Sequence, residues 1–114
     1  MVYYMLAQVT LKYGTANLER FTKVLLPDVA RRLKEIDIRL CHCLVTEVGQ
    51  LFEVWDLWDL GETADMARMR DVGKGDPTFP ALSAALGEVI ESEQIRILSS
   101  YPLALSGLGE TLDD

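Results

Sequence analysis

The run from Leu51 to Leu60, LFEVWDLWDL, decides how this chain folds. Its β-branched and aromatic content marks a strand, yet the strand does not alternate cleanly. Phe52, Val54 and Trp58 fall on one side of the pleat, while Trp55 and Leu57 fall on the other. A strand with one wet face places polar side chains at every second position. Both sides of this one therefore need cover. The same holds for residues 2–12, VYYMLAQVTLK, where Tyr3, Met5, Ala7 and Val9 oppose Tyr4 and Leu6.

Working outward, residues 36–48 (IDIRLCHCLVTEV) form another β-rich stretch, and a short Gly49-Gln50 connection to the run at 51–60 signals a hairpin. Between residues 16 and 35, Leu18, Phe21, Leu25, Val29 and Leu33 recur at three and four, the period of a helix with one buried face. Thr15 or Asn17 can cap that helix, and Pro27 inside it predicts a kink or break. Downstream, Gly61-Glu62-Thr63 supplies a turn and cap for a short helix over residues 65–72. A third helix starts at Asp76-Pro77, buries Phe79, Leu82, Leu86, Val89 and Ile90, and is expected to end near Gln94. Residues 95–101 read as a fourth strand, and residues 103–114 as a Gly-containing acidic tail. The order β α β β α (α) β predicts an α+β chain: a ferredoxin-like, antiparallel four-stranded sheet with helices on one face, in one domain over residues 1–102. The helices hide one face, so burying the other calls for a second copy, a homodimer with its sheets packed face to face.

The 114 residues, 49% apolar and 25% charged, suffice for one core and one domain. Eleven basic against 18 acidic residues give a net charge of −7, which repels a phosphate backbone; Arg31, Arg32 and Lys34, and Arg68 and Arg70, are flanked by acids. Nucleic acid is excluded as a partner on that ground. No uncharged run reaches the length of a membrane-spanning helix, and Met1–Leu6 lacks a basic leader, so the expectation is a cytoplasmic protein with no membrane partner. Cys41 and Cys43 alternate with His42 along a strand, so their side chains point to opposite faces and no single ion reaches all three. No metal and no cofactor are expected.

Four segments in order, VTLKYG at Val9–Gly14, TEVGQLFEVWDLW at Thr46–Trp58, DPTF at Asp76–Phe79 and SEQIRIL at Ser92–Leu98, resemble the NIPSNAP-like branch of the dimeric α+β barrel superfamily. The resemblance runs over residues 2 to about 102. It implies a β-barrel formed between two protomers, with a cavity in each for a small, often hydrophobic molecule. Relatives include polyketide cyclases, cofactor-independent monooxygenases, decarboxylases and isomerases, so the fold leaves the reaction open. This chain departs from the family pattern. Met5, Ala7 and Val9 stand where a Glu-x-Arg-x-Tyr alternation is usual, Asp56 replaces a common His, His42 replaces a small residue, and Trp58 matches the family tryptophan.

Asp56 and His42 are the candidate catalytic residues. Asp56 shares a side of its strand with Phe52, Val54 and Trp58; if that side lines the hollow between two sheets, desolvation raises its pKa into the range of a general acid or base. The bland alternative is a place at the dimer rim or an ion pair with Arg39. Hairpin register decides whether His42 or the pair Cys41 and Cys43 faces Asp56. Trp58, Phe52, Val54, Met5 and Tyr3 are candidate walls of a substrate site, against a plain core role for such side chains. Arg96, in an otherwise apolar strand, is a candidate anchor for a carboxylate or phenolate, or else a partner of Glu53. The resulting expectation is a cofactor-independent cyclase, isomerase or lyase acting on an aromatic or polyketide-like molecule in natural-product biosynthesis. A non-catalytic small-molecule-binding or accessory dimer and a cofactor-free monooxygenase are the alternatives.

Overall fold

In a computed structural model that describes residues 1–102, four strands form one antiparallel sheet in the spatial order β2-β3-β1-β4. They are β1 (Tyr3–Leu11), β2 (Arg39–Val45), β3 (Glu53–Gly61) and β4 (Ile90–Ser99). The helical segments are α1 (Thr15–Arg20), a π-helical segment Phe21–Leu25, α2 (Leu26–Lys34), a 3-10 turn Ala67–Asp71 and α3 (Phe79–Val89). This is the expected ferredoxin-like α+β arrangement, with the first and third strands central.

Several local expectations change. Helix one is capped by Gly14 rather than by a side chain of Thr15 or Asn17; the Asn17 amide instead donates to the Lys12 and Tyr13 carbonyls, at 3.2 Å each. Pro27 does not break the helix. It sits in the first turn of α2, immediately after the π-helical segment, whose wider turn leaves the missing N–H without an obligatory partner. The third helix ends at Val89, five residues before Gln94, and Ile90 passes straight into β4. Helix-favouring Glu91, Glu93 and Gln94 are drawn into the sheet by pairing with β1, where Glu93 lies opposite Val9 and Gln94 opposite Gln8. The short helix after Thr63 is reduced to the 3-10 turn. The expected tail lies outside the described residues.

The core fills the side of the sheet that the helices cover. Met5, Ala7, Val9 and Leu11 of β1 and Val54, Trp58 and Leu60 of β3 pack there with Phe21, Leu25, Leu26, Leu33, Leu82 and Val89. Arg32 of α2 is buried too. Its guanidinium donates to Asp76 at 2.5 Å and to the Thr78 hydroxyl at 2.8 Å, which ties the segment before α3 to α2. Gly73 permits the Phe79 ring to approach: its φ is +75°, and a Cβ there would stand 2.2 Å from the ring. The opposite face of the sheet carries half-buried Tyr4, Leu6, Trp55 and Leu57, flanked by exposed Leu44 and Leu98. No helix among the described residues is long and apolar enough to cross a membrane.

Candidate functional site

The hairpin register decides the site. The tight Gly49-Gln50 turn does not form: β2 ends at Val45, opposite Val54, and the connection takes in Thr46 to Phe52, with Gly49 at φ 135° and Phe52 at φ 58°. Leu40 pairs with Trp58 and His42 with Leu57, so Cys41 is the extra residue of a β-bulge. Beyond the bulge, Cys43 stands directly opposite Asp56. His42 therefore falls on the face away from Asp56, exposed to solvent, and the two do not form the pair that the alternating pattern left open.

Asp56 lies on the helix-covered side, not in a hollow between facing sheets. Directly opposing residues share a face, so the row across the sheet is Cys43, Asp56, Ala7 and Ile95. The middle of that row is dry: Asp56 is 3% exposed and Ala7 4%. Its ends are open, since Cys43 is exposed and Ile95 is 52% exposed. Among the described residues, neither Arg39 nor any other cation pairs with Asp56. Arg39 reaches Asp37 at 3.4 Å instead. Oδ1 of Asp56 is buried without a hydrogen-bond partner among the described residues. Burial first, and then the Glu93 charge, push this carboxyl up to about 7, while the neighbouring Cys43 thiol holds it slightly back. Burial and the Asp56 charge raise the thiol in turn.

The structure brings Val54, Trp58 and Met5 to this carboxyl's side of the sheet, with Trp58 directly opposite Met5 and 2% exposed. The other candidates go elsewhere. Phe52 lies outside the strand and packs edge-on against Tyr13, ring centroids 5.0 Å apart. Tyr3 sits at the far end of β1, opposite Gly61 and Ser99. Arg96 is exposed and opposite Leu6, on the open face. It does not hold Glu53, whose Oε2 accepts from Gln8 at 2.7 Å and whose Oε1 accepts from Thr46 at 2.8 Å and the Trp55 indole at 3.0 Å. Glu93 was missed in the sequence because its neighbours read as the end of a helix, where it would have had no place near Asp56.

A cleft of about 340 Å³ opens at the other end of β3, lined by Arg39, Asp59, Glu62 and Arg68 among others. Arg39 reaches Asp37 there, and Arg68 donates to the Ile36 and Leu60 carbonyls at 3.4 and 2.7 Å, while its Nε, part of an already engaged guanidinium, is buried without a partner among the described residues. Asp56, with an unmatched buried oxygen, is the chemically more demanding group and the better candidate.

No family model matches this sequence, and no curated protein matches it. Solved structures do match. A NIPSNAP family protein from Agrobacterium tumefaciens superposes with a TM-score of 0.70 at 21% identity, over 93% of this chain and 99% of that one. An uncharacterized NIPSNAP domain protein from Burkholderia xenovorans gives 0.70 at 18% identity, over 90% and 96%. A second Agrobacterium tumefaciens protein, of the nipsnap family and with unknown function, gives 0.62 at 16% identity, over 91% and 92%. These findings overturn the expected biosynthetic cyclase, isomerase or lyase. One of these proteins is uncharacterized and another has unknown function, the likeness at this identity shows the fold alone and transfers no reaction, and the His42 and Asp56 pair on which proton shuttling leaned is absent. Superposing over nine-tenths of its length at a TM-score of 0.70, the chain has the fold of these NIPSNAP proteins.

Proposed function

We propose that this protein works as a homodimer in which each copy holds a small, mostly apolar ligand against Asp56. The observation that supports the site is a carboxyl 3% exposed on an apolar sheet face, with Oδ1 unmatched. Buried polar atoms are matched by partners in all but a few cases, and an exception marks a place where a ligand or a proton completes the bonding. Met5, Val54 and Trp58 are the apolar surroundings, and the exposed ends of the row at Cys43 and Ile95 give access. The dimer is supported by the open face, where Tyr4, Leu6, Trp55 and Leu57 stand with no helix among the described residues over them.

A thermal-shift panel of small apolar molecules, run in parallel on the protein and on Asp56→Leu, tests the site. At least one compound is expected to raise the melting temperature of the protein and not of the variant; a panel that treats both alike refutes the site. Sedimentation tests the dimer. A species near twice 12.8 kDa is expected at micromolar concentration, and Leu57→Lys, which places a charge on the open face, should return it to a folded 12.8 kDa monomer. A native protein already at 12.8 kDa refutes the dimer.

A further inference from the structure

Among the described residues, the titratable groups around Asp56 are all acids. Its own carboxyl is joined by the Glu93 carboxyl from β4, whose position opposite Val9 is on the same face, and by the Cys43 thiol from β2. Among the described residues, the Glu93 charge is the one that pushes the Asp56 carboxyl up. Arg39 and Arg96 stand on the opposite face by register, since Arg39 lies across from Asp59 and Arg96 across from Leu6. From the helical layer, the buried guanidinium of Arg32 is engaged by Asp28 and Asp76. Residues 103–114 contain no Lys, Arg or His, so no cation comes from that segment.

We propose that the ligand held against Asp56 is an apolar amine, bound as its ammonium cation with an N–H donated to Oδ1 of Asp56 and its charge in the field of Glu93. This rests on the ligand-site reading above and adds the chemical class. An anionic ligand would meet two like charges, one of them, Asp56, buried and poorly screened. A neutral acceptor would bind only while Asp56 keeps its proton. An ammonium ion supplies what the site lacks: donors for an unmatched oxygen and a counter-charge for a buried carboxylate. Ile95 and Val45, 52% and 39% exposed on this same face, are apolar surface over which the body of such a ligand can lie.

The two chemistries have opposite pH dependence. An aliphatic ammonium keeps its charge to about pH 10, so its affinity follows the carboxylate form of Asp56 and rises with pH through about 7. A neutral acceptor follows the protonated form and weakens over the same range.

Calorimetric titration with phenylpropylamine, phenylpropanol and phenylpropionate, at pH 6 and pH 8, separates them. The amine should bind at least about tenfold more tightly than the other two at pH 8, and about tenfold more tightly at pH 8 than at pH 6, the factor by which the carboxylate form grows. Asp56→Asn should abolish both differences. Glu93→Gln, at an exposed strand position, should keep the fold and weaken amine binding about threefold. Alcohol or carboxylate binding that equals amine binding at pH 8 and is lost in Asp56→Asn overturns the amine while leaving the site. Amine binding that Asp56→Asn leaves intact overturns the site as well. Failure of all three probes to bind overturns the amine assignment, and the thermal-shift panel then decides the site on its own.

Discussion

Glu53 and Asp56 are three residues apart on the same strand, both more than nine-tenths hidden, and chemically opposite. Glu53, on the open face, accepts hydrogen bonds from Gln8, Thr46 and Trp55, and these hold its carboxyl below the usual range. Asp56, under the helices, has an oxygen with no donor among the described residues, and burial beside Glu93 carries it up to about 7. Burial alone does not set the charge of a carboxyl. The donors that the neighbouring strands supply do so, and odd spacing on a pleated strand sends two nearby acids to faces with different supplies.

The largest effect expected from that contrast is in the pH dependence of stability. A carboxyl raised from 3.8 to about 7 in the folded state costs nothing well below pH 3.8, where both states are protonated. The cost grows as pH rises from 4 to 7, and then stays near about 4 kcal/mol. Asp56→Asn, which mimics the protonated form, should match the native protein at pH 4 and exceed it by that order at pH 8 in urea unfolding. Equal stability at both pH values would break the contrast from the Asp56 side. Glu53→Ala tests the other side. It strands three donors and should lower the melting temperature by about 5–10 °C at neutral pH. Since a depressed pKa contributes stability above the ordinary carboxylate value and loses it in acid, the deficit of Glu53→Ala should shrink as pH falls below about 4. A deficit that persists in acid would mean packing, not charge, holds this cluster. The smallest expected effect sharpens the picture at Cys43. Its thiol is raised by burial and by the Asp56 charge, so Asp56→Asn should speed its reaction with a thiol reagent at pH 8 by about threefold, and leave Cys41 unchanged.

Much of the fold could be read in the residues themselves. The long apolar runs at 2–12 and 51–60 mark the two strands that prove central, each paired with a neighbour on both edges. The amphipathic stripe from Leu18 to Leu33 marks the helical layer. What could not be read depended on pairings between distant segments. Helix three ends early because β1 offers Glu93 and Gln94 a ladder, a long-range pull that local helix preference does not carry. The face of His42 turned on one extra residue, Cys41, in the bulge, and nothing in Arg39–Val45 announces where the extra residue falls. Asp56 stood out as an acid among apolar neighbours, but its side of the molecule and its company, Cys43 and Glu93, followed only from the register.

The most direct test is the protonation of Asp56 itself, followed by the carbon-13 chemical shift of its side-chain carboxyl from pH 3 to pH 9 in the native protein. A midpoint near 7 is expected. A midpoint close to 3.8, the ordinary value for an aspartate, would show that a donor or water already satisfies the carboxylate, and the ligand site would fall with it.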